Sequence, residues 1–281
     1  LAAERGEIMN RTTVLGSSGF IGRHLVAALR GDGYEVVTPG RNEDLNDRDL
    51  GTVYYCIGLT ADFRKRPFDT VTAHVGRLQE VLRTARFDRL VYLSSTRVYD
   101  STGTAATGES TPLKVNSDDP SDLYNLSKLL GESLVLNAGR PGVVARLSNV
   151  AGPDFESENF VPSLIRDAVK HGRIELRSDP QSAKDYILIS DAIRMLMAIG
   201  AGGRERIYNV ASGRNVTHAV IVDRLRELTG CEVAFSGGPR SLFPPIDTTR
   251  IRGEFGFAAA NLESELPRLV QQYREWLTCP T

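Results

Sequence analysis

Cysteine is scarce in this 281-residue sequence, and the three present, Cys56, Cys231 and Cys279, never form a Cys-x-x-Cys pair. That spacing argues against a disulfide scaffold and against a zinc site, and it suits a reducing compartment. Histidine is almost as rare. His24, His74, His171 and His218 lack the i, i+4 spacing that sets two ligands on one helix face, so no metal centre is expected. No apolar run approaches the roughly 20 residues that cross a bilayer, which excludes a membrane partner of that kind. Lys plus Arg (34) and Asp plus Glu (35) nearly cancel to a net charge of -1. Neither sign gathers into a block, so there is no electrostatic reason to expect nucleic acid. Leu1 to Asn10 are too polar and acidic for a signal peptide, and they surround an internal Met9. They are set aside from the fold, and the expected location is the cytoplasm.

What the chain does have is an alternation of short apolar runs with longer amphipathic segments, the pattern of a parallel sheet wrapped by helices. Strands are expected at 12–15, 34–38, 52–57, 90–94 and 142–147, with helices at 21–31, 70–86 and 124–137 between them. Residues 41–51 are too few for a helix and another strand, so the first half of the doubly wound sheet should be trimmed, with a short or irregular crossover. Beyond Asn149 the texture becomes Pro- and Gly-punctuated, with helices expected at 160–171, 191–199 and 218–229. The expected fold class is α/β. A Rossmann-like domain spans 11–150, and a smaller C-terminal substrate-binding lobe spans 151–281, with some of its elements returning to the core.

The first strand runs into Gly16-Ser17-Ser18-Gly19-Phe20-Ile21-Gly22, where a helix opens. Gly16 permits the tight turn, Gly19 lets a pyrophosphate approach the backbone, and Gly22 lets the helix lie close to the sheet. The free N–H groups and the dipole of the helix start favour the anion. Gly16, Ser18, Gly19, Phe20, Ile21 and Gly22 are therefore expected to bind a dinucleotide. The second strand ends Thr38-Pro39-Gly40-Arg41, without the carboxylate that holds the adenosine ribose of NAD. Arg41 suits a 2′-phosphate, which favours NADP over NAD unless Arg41 is simply a solvated loop residue. Asp44 and Leu45 are expected near the adenine.

Tyr124 and Lys128 lie four apart on the helix expected at 124–137, hence on one face. An ammonium beside a phenol should pull the phenol's pKa down, so that it exchanges protons near neutral pH. The strand before them delivers Ser95 at its carboxyl end, where ligands collect in open α/β sheets.

This set, Ser95 in "VYLSSTRVYD" and Tyr124 with Lys128 in "YNLSKLLGE" after the glycine turn, resembles the extended short-chain dehydrogenase/reductase family, in particular its nucleotide-sugar epimerases and dehydratases. "ARLSNVAGPD", "NFVPSLI", "KDYILISDAI", "IYNVASGRNVT" and "DTTRIRGEFGF" are similar to later stretches of the same branch. The resemblance implies Tyr124 as acid and base, Lys128 on the nicotinamide ribose, and Ser95 on the reacting sugar oxygen. It also implies substrate contacts from Thr96, Asn149, Asn159, Leu176 and Arg240, although Asn149 could cap a turn and Arg240 could sit in solvent.

The departures carry information too. Dehydratases of this kind have Thr-Asp-Glu where this chain has Ser95-Thr96-Arg97, so the extra acid and base for eliminating water are absent. His74 and Arg77 replace the usual Asn and Gly of a helix near the cofactor, and Lys184 replaces an Arg. The expected activity is NAD(P)-dependent epimerisation of a nucleotide sugar through a transient keto form, at C4. One-way reduction of a 4-keto nucleotide sugar by NADPH is the alternative, and a non-catalytic dinucleotide sensor a third reading. Apolar faces at 71–82 and 126–136 allow a homodimer, or equally pack on the sheet.

Overall fold

The computed structural model describes residues 11–60, 62–103 and 105–278; the N-terminal segment with Met9, and Cys279, lie outside them. The chain begins with β1 (Arg11–Leu15), α1 (Phe20–Gly31), β2 (Glu35–Val37) and β3 (Thr52–Tyr55). A long helical stretch follows, made of α2 (Pro67–Val71), a π-helical turn (Thr72–Gly76) and α3 (Arg77–Thr84). Then come β4 (Arg89–Ser95), a 3-10 turn (Thr96–Tyr99), α4 (Asp122–Asn137) and β5 (Gly142–Leu147).

Because successive strand residues point to opposite faces, the buried runs feed two separate apolar layers. Val14, Tyr54, Val91, Leu93, Val143 and Ala145 pack on one side of the sheet. Leu15, Val53, Tyr55, Leu90, Tyr92 and Val144 pack on the other. A sheet buried on both faces needs continuous apolar strands, which is why these runs do not alternate with polar residues.

The remaining elements are β6 (Asn149–Ala151), α5 (Phe160–His171), β7 (Arg173–Leu176), β8 (Ala183–Leu188), α6 (Ile189–Gly202), β9 (Ile207–Val210), β10 (Asn215–Thr217), α7 (His218–Thr229), β11 (Glu232–Phe235), α8 (Thr249–Phe255) and α9 (Leu262–Thr278). The central sheet has the order β2-β1-β3-β4-β5-β9, and every neighbouring pair is parallel. Order reverses between β1 and β3, and the crevice at that switch is where ligands of such sheets bind. β9 and α6 come from beyond residue 151 yet complete the sheet and its first apolar layer, so the chain crosses between the two parts more than once. A second core joins α5, α7 and α9 to β7 and β8 through Val161, Ile165, Ile174, Ile221, Leu266 and Tyr273. Small sheets β10-β8-β6 and β11-β7 flank it.

The crossover from β2 to β3 is irregular, as its length demands. It is held down by Leu45 and Leu50, both almost fully buried, each contributing about 1.5–3 kcal/mol. Backbone bonds from Asp47 N–H to the Thr84 carbonyl and from Arg86 N–H to the Arg48 carbonyl tie it to the end of α3.

The helix expected at 70–86 instead begins at Pro67 and is interrupted by the π-helical turn. Such a turn sacrifices regular i→i−4 bonding. Two phenols from the sheet compensate: Tyr55 donates to the Ala73 carbonyl (2.7 Å) and Tyr92 to the His74 carbonyl (3.2 Å).

Candidate active site

The glycine turn is shaped by steric limits. Gly16 adopts φ +83°, and a Cβ there would lie 2.9 Å from the Cys56 carbonyl carbon, so the end of β1 presses directly on the end of β3. A Cβ on Gly22 would lie 2.2 Å from the Gly16 carbonyl oxygen, so α1 enters closer to the strand than any side chain permits. Gly19 is the N-cap of α1, and no side chain caps the helix. The first-turn N–H groups have no intrahelical acceptor, and together with the exposed Ser18 and half-buried Phe20 and Ile21 they form an anion cradle that fits a dinucleotide pyrophosphate.

After β2, Arg41 is exposed and Asp44 accepts from Asn46 N–H (2.9 Å). Leu45 follows Asp44 and faces inward. Its side chain is wholly buried in the apolar layer with Leu15, Leu50 and Leu78, so only its backbone could meet an adenine. Glu43, which sequence reasoning missed, accepts from Gly40 N–H (2.8 Å) and from Arg48 (2.5 Å). The Gly40 N–H foremost, then Arg48, hold its carboxyl below the usual range. Arg77 donates to the Glu43 carbonyl and pairs with Glu80. The arginine that stands in place of glycine thus fastens the crossover loop to α3.

Ser95 ends β4, and α4 lies against that strand. This brings together Ser95, Tyr124 and Lys128, the last two almost fully buried. The Ser95 hydroxyl lies near enough to the Tyr124 phenol to pull its pKa down, and it accepts from Arg97 N–H (3.2 Å). Lys128 donates to the Leu93 carbonyl (2.8 Å), and its Nζ stands 5.9 Å from the Tyr124 ring centre. It also lies at Gly58, beyond β3, where an added Cβ would be 3.5 Å away. The lysine therefore spans from the tyrosine to the crevice that the glycine turn opens.

The electrostatics differ from the expectation. Burial pushes the Tyr124 phenol up, while the Ser95 hydroxyl and the Arg97 guanidinium pull it partly back. Burial drives Lys128 down to about 7, against the opposing pull of Glu132 and Cys56. The cation acting on the phenol is Arg97, because desolvation costs the lysine the very charge that was expected to acidify its neighbour.

His74, in the π-helical turn, was also missed as a contributor. Its Nε2 accepts from Leu59 N–H (3.2 Å), so Nδ1 carries the proton and donates to Ser127 Oγ (2.7 Å). Ser127 in turn donates to the Tyr124 carbonyl (2.9 Å). Burial foremost, and then Lys128, push the imidazole down to about 2, so it stays neutral. Its ring meets the Tyr124 ring edge-on, with centroids 5.2 Å apart. The histidine that stands in place of Asn thus links the Leu59 backbone, Ser127 and the Tyr124 carbonyl in one chain of hydrogen bonds. A buried histidine in a helix with sheet tyrosines beneath it was the available signal.

The expected substrate residues scatter more. Thr96 is buried beside Ser95. Asn149 donates to the Asp185 carbonyl (2.9 Å), joining β6 to β8. Asn159 is the exposed N-cap of α5, and Arg240 is exposed after β11. Leu176 has its side chain in the second core, and its carbonyl accepts from Ser236 N–H. Lys184, on β8, is lowered by burial, with Asp100 opposing and Arg97 adding to the shift.

A model of the NAD dependent epimerase/dehydratase family matches residues 12–211. The chain is 29% identical over 201 residues to a dTDP-glucose 4,6-dehydratase from Streptomyces griseus, covering 66% of this chain and 60% of that relative's length. It is 29% identical over 249 residues to a UDP-glucose 4-epimerase from Mycolicibacterium smegmatis, covering 72% and 77%. Among solved structures, MoeE5 in complex with UDP-glucose and NAD superimposes with a TM-score of 0.80 at 26% identity, covering 95% of this chain and 99% of that one.

Proposed function

The chain belongs to the NAD dependent epimerase/dehydratase family, and from that premise we propose that it is an NAD(P)-dependent enzyme that epimerises a nucleotide sugar through a transient 4-keto form. The observation that carries the reading is the meeting of Ser95, Tyr124 and Lys128 at the end of β4, in the crevice opened by the glycine turn. The relatives named above act on nucleotide-linked glucose, which supports a substrate of that class.

In this reading Gly16, Ser18, Gly19, Phe20, Ile21 and Gly22 hold the pyrophosphate, and Arg41 and Asp44 line the adenosine end. The bound nicotinamide supplies and accepts the hydride. Ser95 holds the reacting hydroxyl, and Tyr124 takes its proton and later returns it. Lys128 binds the nicotinamide ribose, which would recharge a group now lowered by burial and let it assist the phenol. Thr96, Asn149, Asn159 and Arg240 hold the sugar and its diphosphate. With Thr96 and Arg97 where dehydratases carry acids, no residue is placed to expel water, and that favours epimerisation.

The second reading is reduction of a 4-keto nucleotide sugar by NADPH, supported by Arg41 at the ribose end without an ion pair among the described residues. Incubating the protein with plain nucleotide sugars and no added reductant should give the epimer. Net NADPH consumption only with a 4-keto nucleotide sugar would select reduction instead. In either case Tyr124→Phe should cut turnover by about 10³-fold while cofactor affinity stays within about twofold, and an unchanged rate would end the catalytic assignment. A homodimer is supported by exposed Phe68, Val71 and Leu130 on neighbouring α2 and α4. Among the described residues no helix is long and apolar enough to cross a membrane.

A further inference from the structure

Arg97 occupies the position from which a dehydratase would present a carboxylic acid, and its surroundings are unusual for an arginine of this chain. Its guanidinium lies 5.6 Å from the Tyr124 ring centre and 5.0 Å from that of the buried Phe63. Its Nε is out of contact with solvent and has no hydrogen-bond partner among the described residues. Other arginines that are largely withdrawn from water are satisfied: Arg77 by Glu80, Arg146 by Glu132, and Arg166 by Glu158. Arg89 and Arg140 each donate to two backbone carbonyls. Arg97 forms no ion pair among the described residues. The nearby Lys184 is a second cation that feels it, with exposed Asp100 as the opposing charge.

A guanidinium fixed over two rings, partly dehydrated and without an acceptor, is costly unless a ligand supplies the anion. We propose that Arg97 recognises a carboxylate on the sugar, so that the substrate is a nucleotide-linked uronic acid rather than a neutral hexose; this rests on the nucleotide-sugar reading above. The location of the arginine separates this anion from the diphosphate. Arg97 follows Ser95 by two residues and lies against the ring of Tyr124, the two groups that hold the reacting hydroxyl. In a pyranose reacting at C4, the diphosphate leaves from C1 across the ring, whereas C6 is borne by the neighbouring carbon. The anion beside the reacting centre is therefore a C6 carboxylate. The planar fork of arginine matches that group in a way a lysine would not.

Calorimetric titration of NAD-loaded protein with UDP-, GDP- and dTDP-linked glucose and glucuronate, in pairs, tests this. In the series whose base the protein accepts, glucuronate should bind about 10- to 100-fold more tightly than glucose, the range of a charge-assisted bond. Arg97→Gln should erase that preference to within about twofold by weakening glucuronate, while Arg97→Lys should keep part of it. Thermal midpoint and NAD affinity verify that each variant is folded, and the wild-type pair decides even if a variant is not. Glucose binding as tightly as glucuronate would overturn the proposal, as would Arg97→Gln weakening both alike. Failure of every nucleotide sugar in all three series would instead defeat the nucleotide-sugar reading, and this one with it.

Discussion

Arg146 and Lys128 are both buried cations, 3% and 4% exposed, on adjacent elements of one core, yet they are treated in opposite ways. Arg146 makes a forked contact with Glu132 (2.6 Å at its shortest) and donates to the Tyr99 hydroxyl (2.8 Å), while Ser94 donates to the same carboxylate (2.5 Å). Burial alone would lower the guanidinium, but Glu132 and Tyr99 reverse that and hold its pKa above the ordinary value. Lys128 has one carbonyl acceptor and is driven down to about 7. The structural charge is fully matched by the protein, and the charge facing the crevice is left for something else to match. Arg97, whose buried Nε has no acceptor among the described residues, belongs with Lys128 in this respect.

The sharpest way to break the contrast is to unmatch the matched charge. Arg146→Met leaves the buried Glu132 with the Ser94 hydroxyl and only the pull of Lys128, itself lowered by burial, and should lower stability by about 3–5 kcal/mol in urea unfolding. Adding Glu132→Leu should recover much of that loss, and no recovery would mean that packing rather than charge dominates there.

Lys128→Met should do the reverse and stabilise the ligand-free protein by about 2 kcal/mol at pH 6, at the expense of activity. The sign follows from the lowered native pKa. Between pH 7 and the unfolded lysine value of about 10.4, the unfolded chain holds a proton that the native state has released. Wild-type stability therefore climbs with pH across that window. The advantage of Lys128→Met should be largest below pH 7 and shrink as pH rises, and a pH-independent difference would show that the lysine is not the cause.

His74→Leu leaves the Leu59 N–H and the Ser127 hydroxyl without their ring partner, with an expected loss of about 1–3 kcal/mol in the same unfolding assay. Last and smallest, Arg41→Ala should weaken NADP binding by about tenfold, as loss of one exposed phosphate contact would, and leave NAD within about twofold. Equal effects on both cofactors would return Arg41 to solvent.

The sheet was legible because burial on both faces leaves uninterrupted apolar runs, and the glycine turn because steric limits at Gly16 and Gly22 admit no other residue. The trimmed first half followed from length alone. The shared face of Tyr124 and Lys128 could be expected from their spacing on a helix, and the meeting with Ser95 from the resemblance. The state of their protons could not, since burial is set by residues far away in sequence, such as Phe63 and His74. The inward direction of the Leu45 and Leu176 side chains was not legible for a related reason: sequence locates a stretch of backbone, whereas the direction of its side chain depends on what packs beneath it. The π-helical turn leaves no periodic mark, and its support comes from Tyr55 and Tyr92 on separate strands.

That turn ties helix length to chemistry. Each residue of an α-helix advances by about 100°, so excising a single position from Thr72–Gly76 would straighten the rod and swing everything on its amino-terminal side by that angle. His74 sits within the turn, so the imidazole could no longer face both Leu59 and Ser127. In this helix a change of length would therefore reach past packing to the chemistry, for as long as its histidine braces the tyrosine.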